Sequence, residues 1–143
     1  MLARPQFWLV KSETEVYPYA ALVAEKRTEW TGVRNYGARN ALRAMNVGEL
    51  VLFYHSQEDK AVVGVAKVSR EAKPDPTAPD EDWSSVELVP YCAFTKPVTL
   101  AQMRAKPALA DLMLLRQGRL SVMALERAHF AEIVAMSATT LPG

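Results

Sequence analysis

Leu50-Val51-Leu52-Phe53-Tyr54-His55, then Ser56-Gln57-Glu58-Asp59-Lys60, then Ala61-Val62-Val63-Gly64-Val65-Ala66-Lys67-Val68 is the stretch that decides the fold class. Two runs rich in β-branched and aromatic residues flank a short polar turn, the pattern of a β-hairpin. On the N-terminal side, Asn46-Val47-Gly48 closes a helix over Ala38 to Met45, with Leu42 and Met45 at apolar i, i+3 spacing. Thr28 to Tyr36 has no clear period, contains Gly32 and reads as a loop. Pro18 suits the first turn of a short helix continuing over Ala20 to Lys26, and Phe7 to Val10 reads as a first strand. On the C-terminal side, Glu71 to Asp82 holds Pro74, Pro76 and Pro79 and reads as a loop. Val86 to Phe94 is a strand in which Pro90 marks an edge or a bulge. Thr99 caps a helix over Leu100 to Ala105, and Met113 to Leu115 and Leu120 to Met123 read as short strands around Gly118. Glu126 to Met136 is an amphipathic helix that buries Phe130, Ile133 and Val134. The elements predict an α+β fold: a curved, mostly antiparallel sheet or β-barrel of four to six strands, flanked by short helices. Strands and helices do not alternate regularly, which argues against a doubly wound parallel sheet.

The 143 residues suit one domain, and 50% hydrophobic with 23% charged residues predicts a packed core. No apolar run reaches the roughly 18–20 residues that span a bilayer, and Met1-Leu2-Ala3-Arg4-Pro5 lacks the apolar stretch of a secretory signal. Cys92 is the one cysteine, so no intramolecular disulfide forms. A cytoplasmic protein without a membrane partner is expected. The net charge is only +1, but its distribution is uneven. Lys26, Arg27, Arg34, Arg39 and Arg43 stand against Glu29 alone, whereas Asp75, Asp80, Glu81, Asp82 and Glu87 form an acidic stretch. Two solvated faces explain this; so does a phosphate-facing basic segment with the acidic loop elsewhere.

Metal and triad chemistry find little support. His55 and His129 lack a second ligand at a recognised spacing, and no glycine-rich phosphate loop or nucleophile elbow is present. Neither a metal nor a cofactor is expected. Trp30-Thr31-Gly32-Val33-Arg34-Asn35-Tyr36-Gly37-Ala38-Arg39-Asn40 is different. It places an indole, a phenol, two guanidiniums and two carboxamides within one short segment. Aromatic faces stack on bases, carboxamides pair with base edges, and guanidiniums suit phosphates. Trp30 and Tyr36 serve equally well as core anchors, and composition does not choose between these readings.

Phe7 to Glu13, Trp30 to Asn40, Phe53-Tyr54-His55-Ser56 and Arg119-Leu120-Ser121-Val122-Met123 together resemble the signature blocks of the EVE domain, in order and spacing, from about Gln6 to Met136. The resemblance implies a single EVE domain over 1–143 with a PUA-like curved barrel, related to YTH domains. It implies a non-catalytic module that flips a modified base, such as a C5-modified cytosine in DNA or RNA, into an aromatic-lined pocket. Lys11, Ser12, Trp30 and Val33 are the expected ligand-binding residues, with Asn35, Tyr54, His55 and Ser56. Arg34, Arg39, Arg43 and Arg119 are expected at the nucleic-acid backbone. The expected partner is nucleic acid carrying a modified base, and the expected state is a monomer. Three positions depart from the family pattern: Thr14 and Ala124 where proline is common, and Gly37 where glutamine is frequent. The competing reading is a small hydrolase acting on a modified nucleoside, similar to ASCH-domain amidohydrolases that use a lysine, a hydroxyl residue and a glutamate. Lys11, Ser12 and Glu13 supply those types, but consecutive strand residues alternate faces, which argues against their sharing one pocket.

Overall fold

The hairpin at the centre of the chain builds the sheet. In the computed structural model, which describes residues 6–57 and 59–142, β3 (Leu50–His55) pairs antiparallel with β4 (Ala61–Pro74) from Leu50↔Lys67 to His55↔Ala61. Met1 to Pro5, Glu58 and Gly143 lie outside the described residues. β4 continues past Val68 to Pro74, pairing with β5 (Ser84–Thr99) as far as Pro74↔Ser84. The expected loop is therefore shorter at its start. Arg70, Glu71 and Lys73 are strand residues on a largely solvated ribbon end, where no hydrophobic alternation marks them. Pro90 lies opposite Ala66 where the β4–β5 register shifts, as its missing N–H requires.

β1 (Phe7–Ser12) runs parallel to β3 and antiparallel to β6 (Val122–Leu125). β2 (Thr28–Trp30) pairs antiparallel with Val86 to Leu88 of β5, so the expected loop contains a three-residue strand too short to show a period. The sheet order is β2-β5-β4-β3-β1-β6. β2 and β6 are its edges, and the six-stranded, mostly antiparallel sheet is not closed into a barrel. Helix α2 (Tyr36–Ala44) packs against β4, β5 and β6.

Local chemistry explains the helices. Asn35 is extended and its Oδ1 accepts from Ala38 N–H, which starts α2 before the predicted Ala38. The chain leaves α2 through an extended Met45, and Gly48 takes φ +93° in the turn into β3. α1 spans Tyr19–Glu25 and α3 spans Leu100–Arg104, the latter closed by a reciprocal Thr99/Gln102 capping box. Met113–Arg116 is a short helix, α4, rather than the predicted strand; the buried residues Leu112 and Leu114 are two apart, the spacing of a strand, which is why the sequence pattern suggests one. α5 (Arg127–Met136) buries Phe130 and Ile133.

Both faces of the sheet are covered. Trp8, Val10, Leu22, Leu42, Val51 and Phe53 belong to one core. Leu9, Leu52, Tyr54, Met103, Leu112 and Ile133 belong to the other. Alternate residues of β1 and β3 thus enter different cores, and only the first borders the site.

Candidate functional site

A cleft of about 430 Å³ opens where the end of β1 meets β2 and the segment leading to α2. Lys11, Ser12 and Glu13 form one wall; Thr28 to Arg34 form the other; Val16, Tyr17 and Ser121 complete the lining. The turn after β1 is closed by Val16 and Tyr17 N–H groups, both donating to Glu13 O, and by the Ser12 hydroxyl donating to Tyr17 O. Trp30 is half-buried. Tyr17 and Phe53 hold its indole edge-to-face, with ring centroids 6.2 and 5.6 Å away. It is thus a core contact on one side and a cleft wall on the other, and the two readings of the sequence are not exclusive. Lys11 Nζ donates to Gly118 O at 2.7 Å, and burial lowers its pKa from the usual lysine value.

Of the residues expected to bind ligand, the fold brings Lys11, Ser12, Trp30 and Val33 to the cleft. Asn35 lies just beyond it, with its side-chain oxygen committed to the α2 cap. His55 stands one layer behind. It is buried, edge-on to Phe53 at 5.8 Å, so it and Trp30 share that ring. Its Nε2 accepts from Tyr19 N–H at 3.1 Å, which leaves Nδ1 to donate to Asp59 Oδ2 at 2.9 Å. Ser56 N–H donates to Ser12 O and braces the end of β1. Tyr54 points into the second core, away from the cleft, because it follows Phe53 along the strand. Tyr17 and Ser121 line the cleft without having been singled out. Ser121 lay inside a recognisable block, whereas nothing local marked Tyr17.

The acidic loop does not lie elsewhere; it folds onto the basic segment. Arg34 Nη1 is 3.1 Å from Asp75 Oδ2, and Asp82 pairs with both Arg39 and Arg43. Asp75 is buried and also accepts from Gly32 N–H, Thr77 N–H and the Thr77 hydroxyl. Burial alone would raise its pKa; the Thr77 and Gly32 hydrogen bonds, with Arg34, outweigh that and hold it at about 2. Arg119 is exposed. Among the described residues, no group of three or more His, Cys, Asp or Glu is placed to hold a metal ion. His129 is buried, with Nδ1 3.7 Å from Glu126 Oε2.

The sequence profile of the EVE domain matches residues 6–136. The chain belongs to the EVE domain family. A solved protein structure from Agrobacterium tumefaciens is 37% identical with a TM-score of 0.91, covering 95% of either chain. Human THYN1, solved in complex with 5-methylcytosine-containing DNA, is 29% identical with a TM-score of 0.87, covering 94% of this chain and 98% of that one. Chicken thymocyte nuclear protein 1 is 32% identical over 164 residues, 90% of this chain and 67% of that protein. The human protein is 37% identical over 122 residues, 73% of this chain but 54% of its own length. An ASCH protein from Zymomonas mobilis shares the fold alone, with a TM-score of 0.57 at 12% identity over 92% of this chain and 98% of that one.

Contrary to the expectation from strand alternation, Lys11, Ser12 and Glu13 all border the cleft; Glu13 lies past the end of β1 at Ser12, where alternation no longer holds. Their polar groups are nonetheless divided: Lys11 is bonded to Gly118 O and Ser12 to Tyr17 O. No helix among the described residues is long and apolar enough to cross a membrane.

Proposed function

We propose that this EVE domain is a non-catalytic reader of a modified base, a C5-modified cytosine in DNA being the first candidate, which it receives extruded from the strand. The observation that carries the reading is Trp30: a half-buried indole lining a concave site and held edge-to-face by Tyr17, which also lines it, and by Phe53 behind it. A wall already oriented loses little entropy when a base stacks on it. The cleft volume falls within the roughly 300–1,000 Å³ of small-ligand sites. The likeness to human THYN1, solved with 5-methylcytosine-containing DNA, supports the same class of ligand. Extrusion exposes all edges of the base, and a single methyl group then contributes about 1–3 kcal/mol of discrimination. In this reading Lys11, Ser12 and Val33 contact the base. Asn35, His55 and Ser56 hold the walls, and Tyr54 acts only through the second core. Arg34, Arg39, Arg43 and Arg119 meet phosphates.

The test is Trp30→Ala, with thermal melting measured beside titrations of modified and unmodified oligonucleotides. Loss of the stacking wall weakens binding by about 1–3 kcal/mol and reduces the preference for the modified base. A variant that melts normally and keeps the full preference refutes the stacking role. Unfolding at a cost of about 3–5 kcal/mol makes Trp30 a core anchor instead. Incubation with acylated and alkylated nucleosides, followed by mass spectrometry, separates a reader from a hydrolase. The substrates remain intact if the reading is correct.

A further inference from the structure

Tyr36 is the first residue of α2 and is 67% exposed, an unusual place for an aromatic side chain with no role. Its ring is stacked on Trp83, with centroids 5.3 Å apart and planes 16° from parallel. The Arg39 guanidinium is 4.9 Å from the Tyr36 centroid and 5.9 Å from that of Trp83. The three separations form a compact triangle, so Trp83 and Arg39 occupy neighbouring parts of the Tyr36 surroundings, and at 67% exposure much of the Tyr36 ring is left to solvent. Arg34 lies 5.7 Å from the Trp83 centroid and also borders the base cleft, so one side chain joins the two places.

We propose that the Tyr36–Trp83 stack is a second subsite, which takes the nucleobase neighbouring the one held in the cleft. The proposal rests on the base-reading function above and extends it. The exposed ring of Tyr36 is a flat π surface, the feature every base can stack on. A concavity of about 310 Å³ beside it is lined by Tyr36, Trp83, Glu81 and Asp82. Glu81 accepts from the Trp83 indole N–H and Asp82 pairs with Arg39 and Arg43, so the two carboxylates hold the ring and the guanidiniums in place around this concavity. Arg34 and Arg39 beside the rings disfavour a free cationic ligand, which aromatic faces otherwise attract. The subsite is pre-assembled, since the rings already stack and Asp82 already pairs with Arg39.

The experiment is a coupling measurement. Wild type, Tyr36→Leu and Tyr36→Trp are titrated with oligonucleotides carrying 5-methylcytosine, either intact or with an abasic site at one neighbouring position, 5′ or 3′. Tyr36→Leu should weaken binding to the intact oligonucleotide by about fivefold or more. It should cost nothing further on the oligonucleotide whose abasic site removes the stacked base. Tyr36→Trp should bind as wild type, and the salt dependence of all three proteins should be the same, because no phosphate contact changes. Melting curves for Tyr36→Leu establish that α2 is intact; if the leucine variant does not fold, the tryptophan variant with the abasic series carries the test. Equal loss on intact and abasic oligonucleotides, or no loss on either, overturns the subsite while a retained preference for 5-methylcytosine leaves the base-reading function standing. If wild type binds no oligonucleotide, both fall. Tighter binding of a trimethyl-lysine peptide than of the oligonucleotide, lost in Tyr36→Leu, overturns the proposal in favour of a cation site.

Discussion

Asp75→Asn tests whether the loop over 75–83 is fastened to the cleft by one carboxylate. Each oxygen of Asp75 holds two donors. Oδ2 accepts from Gly32 N–H at 2.9 Å and Arg34 Nη1 at 3.1 Å; Oδ1 accepts from Thr77 N–H at 2.8 Å and the Thr77 hydroxyl at 2.6 Å. An asparagine offers one acceptor, so whichever way the amide turns, its NH₂ meets two donors. The cheaper orientation faces Thr77, whose hydroxyl can rotate to accept, leaving one N–H unpaired and Arg34 opposite a neutral oxygen. A hydrogen bond to a charged group contributes about 1.5–3 kcal/mol, so the expected loss is about 2–3 kcal/mol at neutral pH. The pH dependence gives a second check. The Asp75 pKa is depressed from 3.8 to about 2 in the folded state, so its stabilisation is complete above the unfolded value and disappears as pH falls through the folded one. Urea unfolding of wild type and variant should therefore differ by a constant amount from neutrality down to about pH 4, and the difference should shrink towards pH 2. Equal midpoints at neutral pH, or a difference that survives unchanged at pH 2, would refute the reasoning.

Other perturbations follow from the same contacts. In Gly64→Ala the new Cβ would stand 2.7 Å from Tyr19 Cζ, on a ring tied down by its hydroxyl bond to Val65 O; a loss of about 1–3 kcal/mol in chemical denaturation is expected, and wild-type stability would contradict it. Asp82→Asn frees Arg39 and Arg43 from their shared carboxylate, so affinity for modified and unmodified oligonucleotides should rise alike. The salt dependence should steepen by about one to two phosphate contacts, measured by titration at several salt concentrations. His55→Ala removes the acceptor of Tyr19 N–H at the start of α1; a stability loss of about 1–3 kcal/mol is expected by thermal melting, and an unchanged melt would mean that water replaces the ring.

Elements whose signal is local were legible along the chain. The β3–β4 hairpin, the α2 helix, the cap at Thr99 and the irregularity at Pro90 each depend on residues a few positions apart. The sequence also carried the Trp30 segment, because an indole among glycine, guanidinium and carboxamide side chains is conspicuous at short range. What it did not carry is anything set by chain parity or by contacts between distant segments. Val51 and Phe53 face one core while Leu52 and Tyr54 face the other. A strand buried on both faces shows no polar alternation, so nothing local says that Phe53 packs behind Trp30 while Tyr54 enters the other core. The pairing of Arg34 with Asp75, and of Arg39 and Arg43 with Asp82, joins positions about forty residues apart. Charge counted along the chain cannot reveal it, because β4 and β5 must first fold the acidic loop back over α2. The positions of β2 and β6 at the sheet edges were likewise set by strand order, which pairs segments far apart along the chain and exists only once the sheet has formed.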